Sequence, residues 1–192
     1  MRYGFGFDKE FLLILIIPLW IFMRVIYILL QKRKGIHISI THEITYNVFV
    51  IYLIILVGYT LFPIDIRFGE RYIYYQDFIN YVPIVSLLKI KAFDLLIRNI
   101  GGNIAMFIPI GLLLPVLWEK FRNFKNSLLV ILSMSLLIEI FQCIENIFAL
   151  SIRRICDIDD IILNTIGGIV GFGVFKVSRI LHQRILQKNE TL

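Results

Sequence analysis

Apolar residues in this chain come in long blocks, and polar residues gather in the gaps between them. Five blocks are long enough to cross a bilayer, which takes about 20 residues of helix. They run approximately over Phe11–Gln31, Ile44–Phe62, Ile100–Trp118, Ser127–Phe148 and Ile158–Leu181. The first contains Arg24, expected to face other helices or to snorkel. The third contains Pro109, which should kink it unless neighbouring helices accommodate the lost hydrogen bond. The pattern predicts an all-α polytopic membrane bundle of five transmembrane helices.

One connection is long, from Pro63 to Arg98. Its "RYIYYQDFINYVPI" is rich in aromatic residues that suit the membrane–water interface. In the following "VSLLKIKAFDLLIRN", Leu88, Ala92, Leu95 and Leu96 share one helical face, and Lys91, Asp94 and Arg98 share the other. This predicts an interfacial amphipathic helix between helices two and three. The expected organisation is an N-terminal helix and basic loop over 1–43, a membrane domain over 44–181, and a short tail over 182–192, with "QKNETL" frayed and solvated.

Composition agrees with the blocks. Of the 192 residues, 58% are hydrophobic and 18% charged, against about a quarter charged in a soluble domain. The net charge of +6 sits between the apolar blocks. That is where topology selection leaves basic residues, so nucleic acid is not an expected partner. Two cysteines, Cys143 and Cys156, do not make a disulfide framework, and Cys143, in an apolar block, reads as packing rather than redox chemistry. The first apolar block exceeds a signal-peptide core and lacks a cleavage pattern, so it is kept as a helix.

The polar residues inside the blocks are not scattered. Counting crossings, the end of helix two, the start of three, the end of four and the start of five share one side of the membrane. Tyr59, Thr60, Asn99, Asn103, Glu139, Gln142, Asn146, Arg153, Arg154, Asp157, Asp159, Asp160 and Asn164 all fall near that side. With Asp157 set at 0° on a 3.6-residue helix, Asp157, Asp160, Asn164, Gly167, Gly168 and Gly171 share an arc of about 100°, and Asp159 falls at about 200°, off that face. Ser135, Glu139, Gln142 and Asn146 share a face of helix four; Asn99, Gly102 and Asn103 share one of helix three. Polar groups in hydrocarbon turn inward, so the expectation is one shared polar pocket open to one side.

Plainer roles compete at each position. Asp157 reads also as an N-cap with Asp160 favoured by the helix dipole. Gly167, Gly168 and Gly171 read as a helix-packing surface. Asn103, Gln142 and Asn164 read also as interhelical glue. Glu139 is the hardest to explain as scaffold, because an ionisable group within a span is costly unless paired or hydrated. Its expected partner is Arg153 or Arg154, and a pair that merely holds the bundle together stays open. The polar side carries nine lysines and arginines and the opposite side ten, in shorter segments. This weighting puts the polar side and the N-terminus outside and the C-terminus in the cytoplasm.

"YTLFPI", "INYVPI", "NIGGNIAMFIPIGLLLP", "IEIFQ" and "RICDIDDIILNTIGGIVG" occur in that order between Tyr59 and Gly171. Together they resemble the VanZ-like family of bacterial integral membrane proteins. The resemblance implies that Asn99, Asn103, Glu139, Gln142, Arg154, Asp157, Asp160 and Asn164 are signature polar positions. It also implies a role in the cell envelope, where the founding member lowers susceptibility to the glycopeptide teicoplanin. The first helix lies outside the resembling stretch.

Three functions compete. The preferred one is a non-enzymatic envelope protein whose outward pocket binds or repositions a membrane lipid or lipid-linked cell-wall precursor, with no cofactor. Arginine would suit its phosphate. The second is an enzyme on a lipid-linked phosphate or sugar, with Asp157, Asp160 and Glu139 holding Mg²⁺ or dividing acid and base roles. No H-E-x-x-H, G-x-S-x-G or Walker loop supports it, and no catalytic residue is assigned. The third is a transporter or lipid-flipping protein, which five helices without a visible repeat fit poorly. The sequence does not give the oligomeric state.

Overall fold

The computed structural model describes residues 3–68, 79–84, 87–88, 91–149 and 156–190. Among them are five long helices: α1 (Lys9–Arg33), α2 (Ile40–Leu61), α3 (Phe93–Leu117), α4 (Phe124–Ala149) and α5 (Ile158–Glu190). All five are long and apolar enough to cross a membrane. Four short strands accompany them: β1 (Tyr3–Phe7), β2 (Ile64–Phe68), β3 (Ile79–Asn80) and β4 (Cys156–Asp157).

The helices extend beyond their apolar blocks, because a helix continues wherever nothing stops it. Ser39 caps α2, its Oγ accepting from the His42 N–H, so α2 begins at Ile40 rather than Ile44. The amphipathic phase from Phe93 onward runs straight into α3, so these residues belong to the spanning helix. Before it, the Leu88 N–H donates to the Ile84 carbonyl; residues 85, 86, 89 and 90 of the expected surface helix lie outside the described residues. α3 is assigned as one helix through Pro109 and Pro115. The expected frayed tail is corrected: α5 stays helical to Glu190.

The chain divides into two compact units. The first comprises Met1–Tyr81 and Ile138–Asp157, the second Val82–Leu137 and Ile158–Leu192. In the first, β1 pairs antiparallel with β2, Tyr3 opposite Phe68 and Phe7 opposite Ile64. This brings the start of the chain to the segment after α2, as two successive crossings require. α1 is fastened to α2 by polar side chains. Arg24 donates twice to the Glu43 carboxylate, at 2.8 and 2.6 Å. Its guanidinium lies 4.5 Å from the ring centres of Tyr27 and Tyr46. Trp20 Nε1 donates to Asn47 Oδ1 at 3.0 Å. Arg24 therefore faces the neighbouring helix.

The second unit is built on α3 against α5. A Cβ at Gly167 would strike the Ile104 carbonyl, one at Gly171 the Ile108 carbonyl, and one at Gly111 the Gly168 carbonyl. A Cβ on Gly168 would come within 2.6 Å of Ile131 Cγ2 on α4. The glycines let backbones meet where van der Waals contact, rather than the hydrophobic effect, drives association. Phe107, Ile110, Ile131 and Phe172 are buried within this unit.

Candidate functional site

The expected site residues fall into two groups, one in each unit. In the first unit, Glu139 is buried on α4 and its Oε2 accepts from the Asp157 backbone N–H at 3.0 Å. Asp157 is also buried, and Asn80 Nδ2 donates to its Oδ1 at 2.9 Å. β3 and β4 run parallel with Asn80 opposite Asp157, so the strand pairing sets that side-chain contact. One turn along α4 from Glu139, Gln142 Nε2 donates to the Thr60 carbonyl at 2.8 Å, near the C-terminus of α2. Thr60 Oγ1 in turn donates to the Leu56 carbonyl.

In the second unit, Asn103 on α3 donates through Nδ2 to Asp160 Oδ1 on α5 at 2.6 Å. One turn further along α5, the buried Asn164 donates to Ser135 Oγ on α4 at 3.0 Å. Asn164 Oδ1 is buried and has no hydrogen bond among the described residues, as is Asn99 Oδ1 on α3. Arg153 and Arg154 lie outside the described residues, so their expected pairing with Glu139 does too.

Two expectations are corrected. Asp157 is not on helix five but in β4, ahead of the helix, so its place on the helical face does not apply. Asp159, set apart from the polar face, is 3% exposed and its Oδ1 accepts from the Ile84 N–H at 2.6 Å. Ile84 has φ of 71°, a region that a β-branched residue rarely adopts. The carboxylate thus anchors a strained loop residue, a partner that a wheel of neighbouring helices does not contain.

Other polar residues were not singled out from the pattern. Asn80 sits in the quoted "INYVPI", but nothing local points it at Asp157, 77 residues away. Glu145 is buried beside Asn146 on α4. The cysteines are a further correction: Cys143 and Cys156 are joined as a disulfide in the first unit. Among the described residues, no three His, Cys, Asp or Glu side chains gather as a metal-binding group.

The VanZ/LLP1 family pattern matches residues 49–181, more than half of the chain. The chain belongs to the VanZ/LLP1 family. It is also similar to Protein VanZ of Enterococcus faecium, 29% identical over 129 residues, covering 67% of this chain and 71% of that protein. No solved structure matches. The family match includes α3, α4 and most of α5, with every expected site residue, and excludes α1 and the Arg24–Glu43 pair. This VanZ-like chain is a multi-pass membrane protein.

Proposed function

We propose that this protein works in the bacterial plasma membrane as a non-enzymatic envelope protein that engages a membrane lipid or lipid-linked cell-wall precursor and lowers susceptibility to teicoplanin. The observation that carries the reading is Glu139, a carboxylate buried in a membrane-spanning helix and held to the Asp157 amide. Such groups in membranes mark sites of function by default, because each is expensive to keep. In the same unit, Asn80 bonds to Asp157 and Gln142 to the Thr60 carbonyl, adding amide and hydroxyl chemistry suited to a sugar or peptide head group. Asn103 and Asp160 supply a separate polar pair in the second unit. The apolar helix surfaces suit a lipid tail. The name of the Enterococcus faecium relative supports the link to glycopeptides through its family.

In this reading the polar ends of α2, α4 and β4 face outward, the N-terminus is outside, and the C-terminus is cytoplasmic. The test is the drug-susceptibility profile of cells with and without the protein, teicoplanin included, followed by Glu139→Gln and Asp160→Asn. Lower susceptibility that either variant removes at normal abundance is the expected result. Full phenotype in both variants would mean that these groups are not the working part. Turnover of a lipid-linked substrate by the purified protein would replace binding with catalysis.

A further inference from the structure

The chain has two cysteines, and the fold joins them. Cys143 lies on α4 beside Gln142 and one turn after Glu139; Cys156 immediately precedes Asp157 in β4. The bond therefore ties β4 to α4 at the point where the Asp157 N–H meets Glu139. On the other edge of β4, β3 adds Asn80. Hydrogen bonds are a weak restraint on a two-residue strand, since each adds only about 1 kcal/mol net. A covalent link to the preceding residue is a strong one.

Chemistry also decides where such a link can form. Disulfides persist in oxidising compartments and are rare in the cytosol. We propose that Cys143–Cys156 is a formed disulfide that fixes Asp157 beside Glu139 and requires this end of α4 to lie on the oxidising, outer side of the membrane. The two thiols lose two electrons and two protons to a disulfide oxidant R–S–S–R, which leaves as two R–SH as the Cys143–Cys156 bond forms. Sidedness then rests on covalent chemistry, independently of a nearly even count of basic residues. Cys143 and Cys156 are positioning residues acting through the strand they hold. The inference shares the outward orientation of the proposed function but not its ligand; its thiol and exchange tests use no antibiotic, so the disulfide and the ligand reading can each fail alone, and only the orientation test bears on both.

The first test counts thiols. Cells are quenched in acid, denatured and treated with a polymer-tagged maleimide, with and without prior reduction. The expected result is no mobility shift before reduction and a double shift after it. A double shift without reduction overturns the disulfide. The second test fixes the side, using Lys34→Cys in a Cys143→Ser/Cys156→Ser background. A membrane-impermeant maleimide should label it only after cells are opened; labelling from outside overturns the orientation. The third test reads position in the purified protein in detergent. Reduction should speed hydrogen exchange of the β4 peptide roughly tenfold and leave the α3–α5 seam unchanged, as expected for a local opening. Unchanged exchange in β4 would show that the bond holds nothing in place.

Discussion

α1 and α2 are joined in a way that α3 and α5 are not. The first pair reaches across with long side chains: a doubly bonded Arg24–Glu43 pair, two flanking tyrosine rings, and a Trp20–Asn47 hydrogen bond. The second pair brings glycine backbones against carbonyls. In a membrane, apolar side chains gain little by leaving lipid for one another, so helices associate through close fit or through polar bonds. The family pattern covers the close-fitting pair and leaves out α1. One association depends on shape and the other on charge, and substitutions can separate them.

The largest effect is expected at the seam. Gly171→Ala places a methyl group into the Ile108 carbonyl, and backbone has no rotamer by which to yield. Overpacking typically costs about 1–3 kcal/mol, and a clash with backbone belongs at or above the top of that range. Gly173 sits two residues on in the same helix, with nothing within 4 Å of its position for a Cβ. Gly173→Ala should therefore be neutral in abundance and thermal stability in detergent, while Gly171→Ala should lose both. Equal behaviour would break the claim that fit holds α3 to α5.

Next comes Arg24→Leu, which leaves the Glu43 carboxylate facing apolar surroundings without its partner. Removing one member of a fully buried pair costs about 3–5 kcal/mol. These side chains retain 16% and 13% exposure, so about 2 kcal/mol is the reasonable expectation. The double variant Arg24→Leu/Glu43→Leu should recover most of the loss, because no charge is left stranded. The readout is protease protection of α1 together with thermal stability. Failure of the double variant to recover would make the pair more than a clasp.

These features differ in how far the sequence shows them. Spanning helices were legible because about 20 apolar residues in a row have few alternatives. Their ends were not, since Phe93–Asn99 and Gln187–Glu190 continue a helix without needing lipid around them. Asn103, Asp160 and Asn164 were legible because all three lie inside helices, where spacing fixes direction. Asp157 and Asp159 were not, because their partners come from β3 and from the turn at Ile84, and helical phase says nothing about a returning loop. The disulfide was invisible for the same reason: its two cysteines are 13 apart, and β4 had no pattern of its own.

The third prediction concerns Asn103→Ala, which removes the donor to Asp160. A charge-assisted hydrogen bond contributes about 1.5–3 kcal/mol in water-soluble proteins. Polar contacts between membrane helices average about 0.6 kcal/mol, because the separated helices also find partners. With both residues half-buried, the loss should be about 1 kcal/mol, measured by thermal stability in detergent. If the glycine seam carries the association, α3 and α5 stay docked and their amide exchange barely changes. Loss of the α3–α5 pairing would mean that shape alone does not hold them.

The smallest effect comes last, and it deletes the same kind of bond once at α1, where Trp20 meets α2, and once at α5, where Asn164 meets α4. Trp20→Phe removes the indole donor to Asn47 and keeps an aromatic ring. Ser135→Ala removes the hydroxyl that accepts from Asn164. Each deletes one neutral hydrogen bond of 3.0 Å, with an expected cost near 0.6 kcal/mol. The consequences should differ even though the costs do not. α1 is mostly exposed and is held to α2 by a few polar contacts, so losing one should loosen it measurably in hydrogen exchange. α5 has backbone contacts along several turns, so Ser135→Ala should leave its exchange unchanged. If Ser135→Ala loosens α5 as much as Trp20→Phe loosens α1, polar bonds hold both helices in place and the glycines of α5 only permit its close approach.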